Sequence, residues 1–98
     1  MAENDELVKQ MSDELANIEV AKRMASEIVL SERPWEELRK WRLYFKFSQK
    51  KLAGKLNITS SVICDYESGR RKSPGIAMIK KLIVALTNYK PVEVQHDQ

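Results

Sequence analysis

The chain has 98 residues, 43% of them hydrophobic, a length and composition that suit one small domain with an appended element. A single cysteine, Cys64, excludes an internal disulfide, and the single histidine, His96, lies far from it in sequence, so we expect no metal site and no cofactor. No apolar run reaches the roughly 20 residues that span a bilayer, and the acidic N-terminus lacks signal-peptide features, which predicts a cytoplasmic protein without a membrane partner.

Charge is distributed unevenly along the chain. The net charge is −5 over residues 1–32, +10 over residues 33–90 and −2 over residues 91–98, which gives +3 overall. A basic segment beside an acidic one is typical of a module that binds a polyanion and carries an appendage that does not. Basic residues can also simply solvate a surface, and charge alone leaves both interpretations open.

One long helix is predicted from residue 5 to about residue 30. Its apolar residues recur at spacings of three and four, and neither glycine nor proline interrupts them. These apolar residues are Leu7, Val8, Met11, Leu15, Ile18, Ala21, Ala25, Ile28 and Val29. A helix with one apolar stripe must bury that stripe, either against its own domain or in a dimer contact. The sequence leaves both alternatives open.

A second helix is predicted from Pro34 to Phe45. Pro34 suits the first turn of a helix, and Glu36 and Glu37 suit the positive end of the helix dipole. An aromatic stripe at helical spacing is typical of a protein core. The predicted core residues of this helix are Trp35, Leu38, Trp41 and Phe45.

Residues 47–69 predict two short helices joined by a tight turn. The hydroxyl of Ser48 can cap the first helix, and Asn57 falls at the turn, where it tolerates the left-handed conformation. Thr59 or Ser60 is the expected cap of the second helix, and Gly69 is its expected C-terminal stop. The predicted inward residues are Leu52, Ala53, Leu56, Ile63 and Tyr66. This arrangement is a helix-turn-helix.

A last helix is predicted after three successive cations, Arg70, Arg71 and Lys72. Ser73 can cap this helix and Pro74 can start it, and its periodicity continues to about Asn88. Its expected inward residues are Ile76, Ile79, Leu82, Ile83 and Leu86. Residues 91–98 have no periodicity and are interpreted as a tail or linker.

The helix-turn-helix segment resembles the Cro/C1 (Xre-type) family of phage and prokaryotic transcriptional regulators. The residues that carry the resemblance are Ser48-Gln49, Leu52-Ala53, Asn57-Ile58-Thr59, Ser60-Ser61-Val62-Ile63 and Glu67-Ser68-Gly69-Arg70-Arg71. Asn57 departs from the glycine that is usual in the family. The run SVICDYESGRRKSPG is also similar to a group of archaeal Xre-type regulators.

The resemblance implies an all-α fold, a compact helical bundle of the lambda-repressor-like DNA-binding type, here with an additional long N-terminal helix. The expected organisation is an acidic helix over residues 1–31, a DNA-binding domain over residues 32–90 and the tail over residues 91–98. The resemblance also implies that Arg42 pairs with Glu67 and clamps the first helix of the domain to the recognition helix.

The implied function is sequence-specific binding of double-stranded DNA, with the helix Ser60–Ser68 in the major groove and the protein acting as a homodimer. The outward residues expected to read bases are Ser60, Ser61, Val62, Cys64 and Asp65. The residues expected to contact phosphates are Gln49, Lys50, Arg70, Arg71 and Lys72. Three roles remain open for Asp65: it accepts a hydrogen bond from cytosine, it positions an arginine, or it contacts nothing.

The sequence also bears on two other classes of function. Domains of this type also serve as protein-interaction modules, in antitoxins or transcriptional bridging factors, and the acidic N-terminal helix suits such a role; a further domain or a protein partner is therefore an additional expectation. The sequence contains no carboxylate pair, Ser/His or Cys/His set, phosphate loop or metal cluster that would indicate an enzyme.

Overall fold

The computed structural model describes residues 2–89, with side chains from residue 5 onward, and that part of the chain is all-helical. The all-α prediction is confirmed. The five helices are α1 (Ala2–Leu30), α2 (Pro34–Tyr44), α3 (Gln49–Leu56), α4 (Ser60–Ser68) and α5 (Ile76–Thr87). The predicted tail at residues 91–98, with His96, lies outside the described residues.

The core forms where all five helices meet. The helix α1 packs on α2 and α5, α3 packs on α4 and α5, and α2 packs on α4. Met24 and Ile28 of α1 are 0% and 1% exposed, so the second half of this helix belongs to the core. The other buried apolar residues are Ala21, Leu38, Trp41, Leu52, Ala53, Ile63, Ile79, Leu82, Ile83 and Leu86.

Of the two alternatives left open for the apolar stripe, packing against its own domain holds only for the second half of α1, because the first half contacts none of this core. Leu7, Val8, Met11 and Leu15 are 58–64% exposed, and Val29 near the end of the helix is 61% exposed. The helix extends beyond the domain, so its first four turns have no surface to pack against. Met24, which the stripe omitted, is the most buried residue of the helix because it lies between Ala21 and Ile28 on the face toward the domain.

Glu27 joins α1 to α2 through its carboxylate. Its Oε2 accepts hydrogen bonds from Lys40 Nζ at 2.9 Å and from Trp41 Nε1 at 3.0 Å, and its Oε1 accepts one from Arg23 Nε at 3.3 Å. The bond from Lys40, with a smaller contribution from Arg23, lowers the pKa of Glu27. Glu37 and Glu27 in turn raise the pKa of Lys40. These contacts fix the angle at which α1 leaves the domain.

The start of α5 differs from the prediction. The helix begins at Ile76 with Gly75 at its N-cap, rather than at Pro74 with Ser73 as the cap. Pro74 is buried in an extended segment, which its fixed φ also allows. Ile76 is therefore the first residue of the helix, and it is 69% exposed rather than inward.

Candidate nucleic-acid interface

The turn between α3 and α4 is built by local hydrogen bonds. Ser48 Oγ accepts from the backbone N–H of Lys51 at 2.9 Å and caps α3. Asn57 ends α3 in the left-handed conformation, with φ of 57°, and the N–H of Ile58 donates to the carbonyl of Ala53 at 3.0 Å. Ala53 is 2% exposed, and its small side chain leaves room for α4 beside α3. Asn57 thus performs the role of the glycine that is usual at this position.

The ends of α4 are defined by Thr59 and Gly69. Thr59 occupies the N-cap position, but its hydroxyl lies 2.9 Å from Ser61 Oγ and makes no capping bond. Gly69 ends the helix with φ of 77°. A Cβ at Gly69 would lie 3.3 Å from the ring of Trp35, so both the backbone conformation and the close approach of the ring favour glycine.

The outer face of α4 carries small polar side chains. Ser61, Cys64, Asp65 and Ser68 recur at the spacing that places residues on one side of a helix. Ser60, Ser61 and Ser68 are exposed, whereas Val62, Cys64 and Asp65 are half-buried. The five residues predicted to read bases therefore lie together on the solvent side of α4 and its flank.

The inner face of α4 is fixed by an ion pair between Arg42 of α2 and Glu67. Arg42 Nε donates to Glu67 Oε2 at 2.6 Å and Nη2 donates to Oε1 at 2.9 Å, while Nη1 donates to the carbonyl of Phe47 at 2.7 Å. The two side chains are 9% and 6% exposed. The Glu67 carboxylate raises the pKa of Arg42, so the guanidinium stays charged. The structure thus contains the pair that the resemblance implied.

Gln49 extends this network to the start of α3. Its Nε2 donates to Glu67 Oε1 at 3.2 Å, so one carboxylate holds both Arg42 and Gln49. The neighbouring Lys50 is exposed. Lys51 and Lys55, which sequence reasoning did not single out, lie 4.4 Å and 5.3 Å from the centre of the Phe47 ring. Their spacing of four residues was the available signal that both share one side of α3.

The cations after α4 fold back along the end of that helix. Arg70 Nε donates to Ser68 Oγ at 3.0 Å, and Arg70 Nη2 lies 3.8 Å from Asp65 Oδ1. The backbone N–H of Arg71 donates to the carbonyl of Asp65 at 3.3 Å, and its guanidinium lies 5.5 Å from the centre of the Tyr66 ring. Arg70, Arg71 and Lys72 are all exposed. Sequence reasoning missed Ser68 as the anchor of Arg70.

Comparison with known proteins agrees with this geometry. A family model described as "Helix-turn-helix" matches residues 38–93, more than half of the chain. The chain belongs to the Cro/C1-type helix-turn-helix family. Its helix-turn-helix is formed by α3 and α4, and members of this family are DNA-binding transcriptional regulators.

Two archaeal proteins are similar to this helix-turn-helix chain. An uncharacterised HTH-type transcriptional regulator of Archaeoglobus fulgidus is 60% identical over 67 residues, and one of Methanocaldococcus jannaschii is 49% identical over 67 residues. Each match covers 68% of this chain but only 29% and 28% of the relative, so the chain spans less than a third of the length of these proteins. No solved structure matches the chain significantly.

None of the helices described over residues 2–89 combines the length and the apolar character needed to cross a membrane.

Proposed function

We propose that the chain binds double-stranded DNA in a sequence-specific manner, with α4 in the major groove. The observation that carries this proposal is the division of α4 into two faces. Ile63, 3% exposed, and Glu67 hold the inner face, while small polar residues cover the outer face. Gln49 at the start of α3 bonds Glu67, and Arg70 bonds Ser68, so candidate phosphate contacts lie close to the end of α4.

The readout proposed for the outer face follows from the chemistry of its side chains. Ser60 and Ser61 can donate to or accept from several bases, Cys64 is small enough to approach a base edge, and Val62 can pack on a thymine methyl group. Asp65 lies 3.8 Å from Arg70 at their closest charged atoms. This distance supports a role in which Asp65 orients Arg70 toward DNA, rather than accepting a hydrogen bond from cytosine itself.

The phosphate contacts proposed for each copy come from Gln49, Lys50, Arg70, Arg71 and Lys72. The bond from Gln49 to Glu67 places its amide beside the recognition helix, where it can bridge that helix and a phosphate. About five such contacts would give a slope of log K against log salt of roughly −4 to −5 per half-site.

The proposed active form is a homodimer on a near-palindromic site, with half-sites about 34 Å apart. A dimer with two-fold symmetry reads two equal half-sites, so it recognises twice the length of DNA sequence that one copy recognises. We further propose that the protein acts in the cytoplasm, where its DNA lies, and that it acts by binding rather than by catalysis.

Selection from random-sequence duplex DNA with the purified chain tests this function. The expected result is an enriched near-palindrome with about one helical turn between half-site centres, and titration of this site should give the salt slope above. Scrambled duplex of the same composition is the control. Equal affinity for the selected and scrambled duplexes would contradict sequence-specific binding.

One observation favours a second function. The exposed apolar residues of α1 leave a surface that a protein could cover, as in an antitoxin or a transcriptional bridging factor. Stoichiometric co-purification of one partner that is lost in a chain with Met11→Glu would support this alternative. Unchanged recovery of that partner would contradict it.

A further inference from the structure

The exposed apolar residues of α1 point away from the domain that the same helix packs against. They are Leu7, Val8, Met11 and Leu15, each about three-fifths exposed. At 100° per residue, the centre of this set lies about 120° around the helix from the buried set of Ala21, Met24 and Ile28. The straight helix therefore cannot bury both sets on one domain. The family match begins at residue 38, so it does not account for this surface.

A groove lined by apolar and basic side chains, which complement the apolar and acidic first half of α1, runs between α1 and α5. Its floor and sides combine partly exposed apolar side chains with two lysines. The residues that matter here are Ile18, Lys22, Ala25, Lys80 and Val84. Ile18 and Ala25 continue the line of the exposed stripe along α1, so the stripe and the groove form one continuous surface.

We propose that the first half of α1 of one copy lies in the α1–α5 groove of a second copy, with the two α1 helices antiparallel. The second copy places the first half of its own α1 in the groove of the first copy in the same way. A two-fold axis near the middle of α1 brings the exposed Leu and Met residues of each copy onto Ile18 and Ala25 of the other. This interface deepens the homodimer proposed above and rests on it.

Charge complementarity selects a second copy as the occupant and the antiparallel direction. Residues 5–19 contain five acidic side chains and one basic side chain, whereas Lys22 and Lys80 line the groove. Parallel pairing would place the two acidic halves side by side along their whole length. Antiparallel pairing places Glu14 beside the groove lysines of the partner. Among residues 5–89, neither Glu14 nor Lys80 forms an ion pair within its own chain.

Sedimentation equilibrium of the 98-residue chain and its variants tests the interface. Wild type should be a dimer, and Leu15→Glu should raise the dimer Kd at least about 100-fold, because each dimer loses two buried leucines. Leu30→Glu is the matched control: Leu30 is 80% exposed on the same helix but lies off the stripe, and its substitution should change Kd less than about threefold. Circular dichroism of each variant checks that the helices remain folded.

A charge exchange tests the direction of pairing. Glu14→Lys and Lys80→Glu should each weaken the dimer about tenfold, and the two together should restore Kd to within about threefold of wild type. An additive loss in the double variant would overturn the antiparallel arrangement. A dimer that survives Leu15→Glu would place the interface elsewhere and overturn the proposal.

Binding of a random-sequence 20-base-pair duplex at low salt separates this proposal from the proposed function. Leu15→Glu should change this affinity less than about threefold per copy, because residue 15 lies outside the helix-turn-helix. A wild-type chain that binds the duplex but stays monomeric at every concentration would overturn the interface alone. A chain that neither dimerises nor binds the duplex would overturn the DNA-binding function as well.

Discussion

Replacement of Glu67 by alanine is the most direct test of how α4 is held. The substitution leaves the guanidinium of Arg42, 9% exposed, with the carbonyl of Phe47 as its remaining partner in the network. Removing one partner of a buried ion pair costs about 3–5 kcal/mol. For a domain of this size each kcal/mol corresponds to about 4–8 °C in Tm, so Glu67→Ala should lower Tm by about 12 °C or more.

Thermal unfolding followed by circular dichroism measures this loss. The matched control is Glu36→Ala, which breaks the exposed pair of Arg33 and Glu36, whose side chains are 68% and 58% exposed. An exposed pair contributes about 0–1 kcal/mol, so the control should remain close to wild type. If Glu67→Ala melts no lower than Glu36→Ala, the ion pair does not hold α4.

A double variant separates the lost interaction from the buried charge that it leaves behind. Replacing Arg42 by methionine together with Glu67 by leucine removes both charges and fills the space with apolar groups. Such replacements are often neutral or stabilising, so the double variant should recover most of the Tm lost by Glu67→Ala. A double variant as unstable as Glu67→Ala would show that the loss comes from packing and not from the unpaired guanidinium.

Four further predictions concern DNA binding and stability. Arg71→Ala should weaken binding to all duplexes alike and reduce the salt slope by about one, whereas Arg23→Ala, in α1 and outside the helix-turn-helix, should leave the slope unchanged in the same titration. Asp65→Ala should weaken binding to all duplexes about equally, because Arg70 loses the carboxylate that orients it; relaxed preference at one base position in a repeated selection would instead show that Asp65 reads a base. Gly69→Ala should lower stability by about 1–3 kcal/mol in urea unfolding, because of its positive φ and the nearby ring; no change would show that the turn adjusts freely. The pKa of Glu27 is lowered below 4.5 in the folded protein, so its stabilisation is present above about pH 4.5 and is lost as the pH falls through the folded pKa. The Tm difference between wild type and Glu27→Gln should therefore shrink in that pH range. A Tm difference that stays constant would contradict this prediction.

The helix-turn-helix was predictable because its signals are local. Ser48, Asn57 and Gly69 each specify a backbone feature within a few residues, and the structure has the cap and both left-handed positions where the sequence places them. The family resemblance added the pair of Arg42 and Glu67, which are 25 positions apart and which no local pattern would have joined.

Other features of the structure depend on how each helix packs against the rest of the domain, and the sequence pattern does not determine that packing. The Ser73-Pro74 signal resembles a helix start, yet Pro74 serves equally well in the extended segment that precedes Gly75. The stripe on α1 has the spacing of a buried face throughout, but burial requires a surface opposite it, and periodicity does not report how far the domain extends. The same limit applies to the position of the Arg70 side chain beside Asp65. That position depends on a hydrogen bond from Arg70 Nε to Ser68 Oγ, which the sequence pattern does not report.

The Arg42–Glu67–Gln49 network has a consequence for how the binding preference of such a regulator could change. The network holds α4 entirely from its inner side, and no residue proposed to read bases takes part in it. Substitutions at Ser60 or Ser61 would therefore leave the spacing between α3 and α4 intact. New target sequences can be acquired one side chain at a time, without a stage at which the protein must refold around a different scaffold.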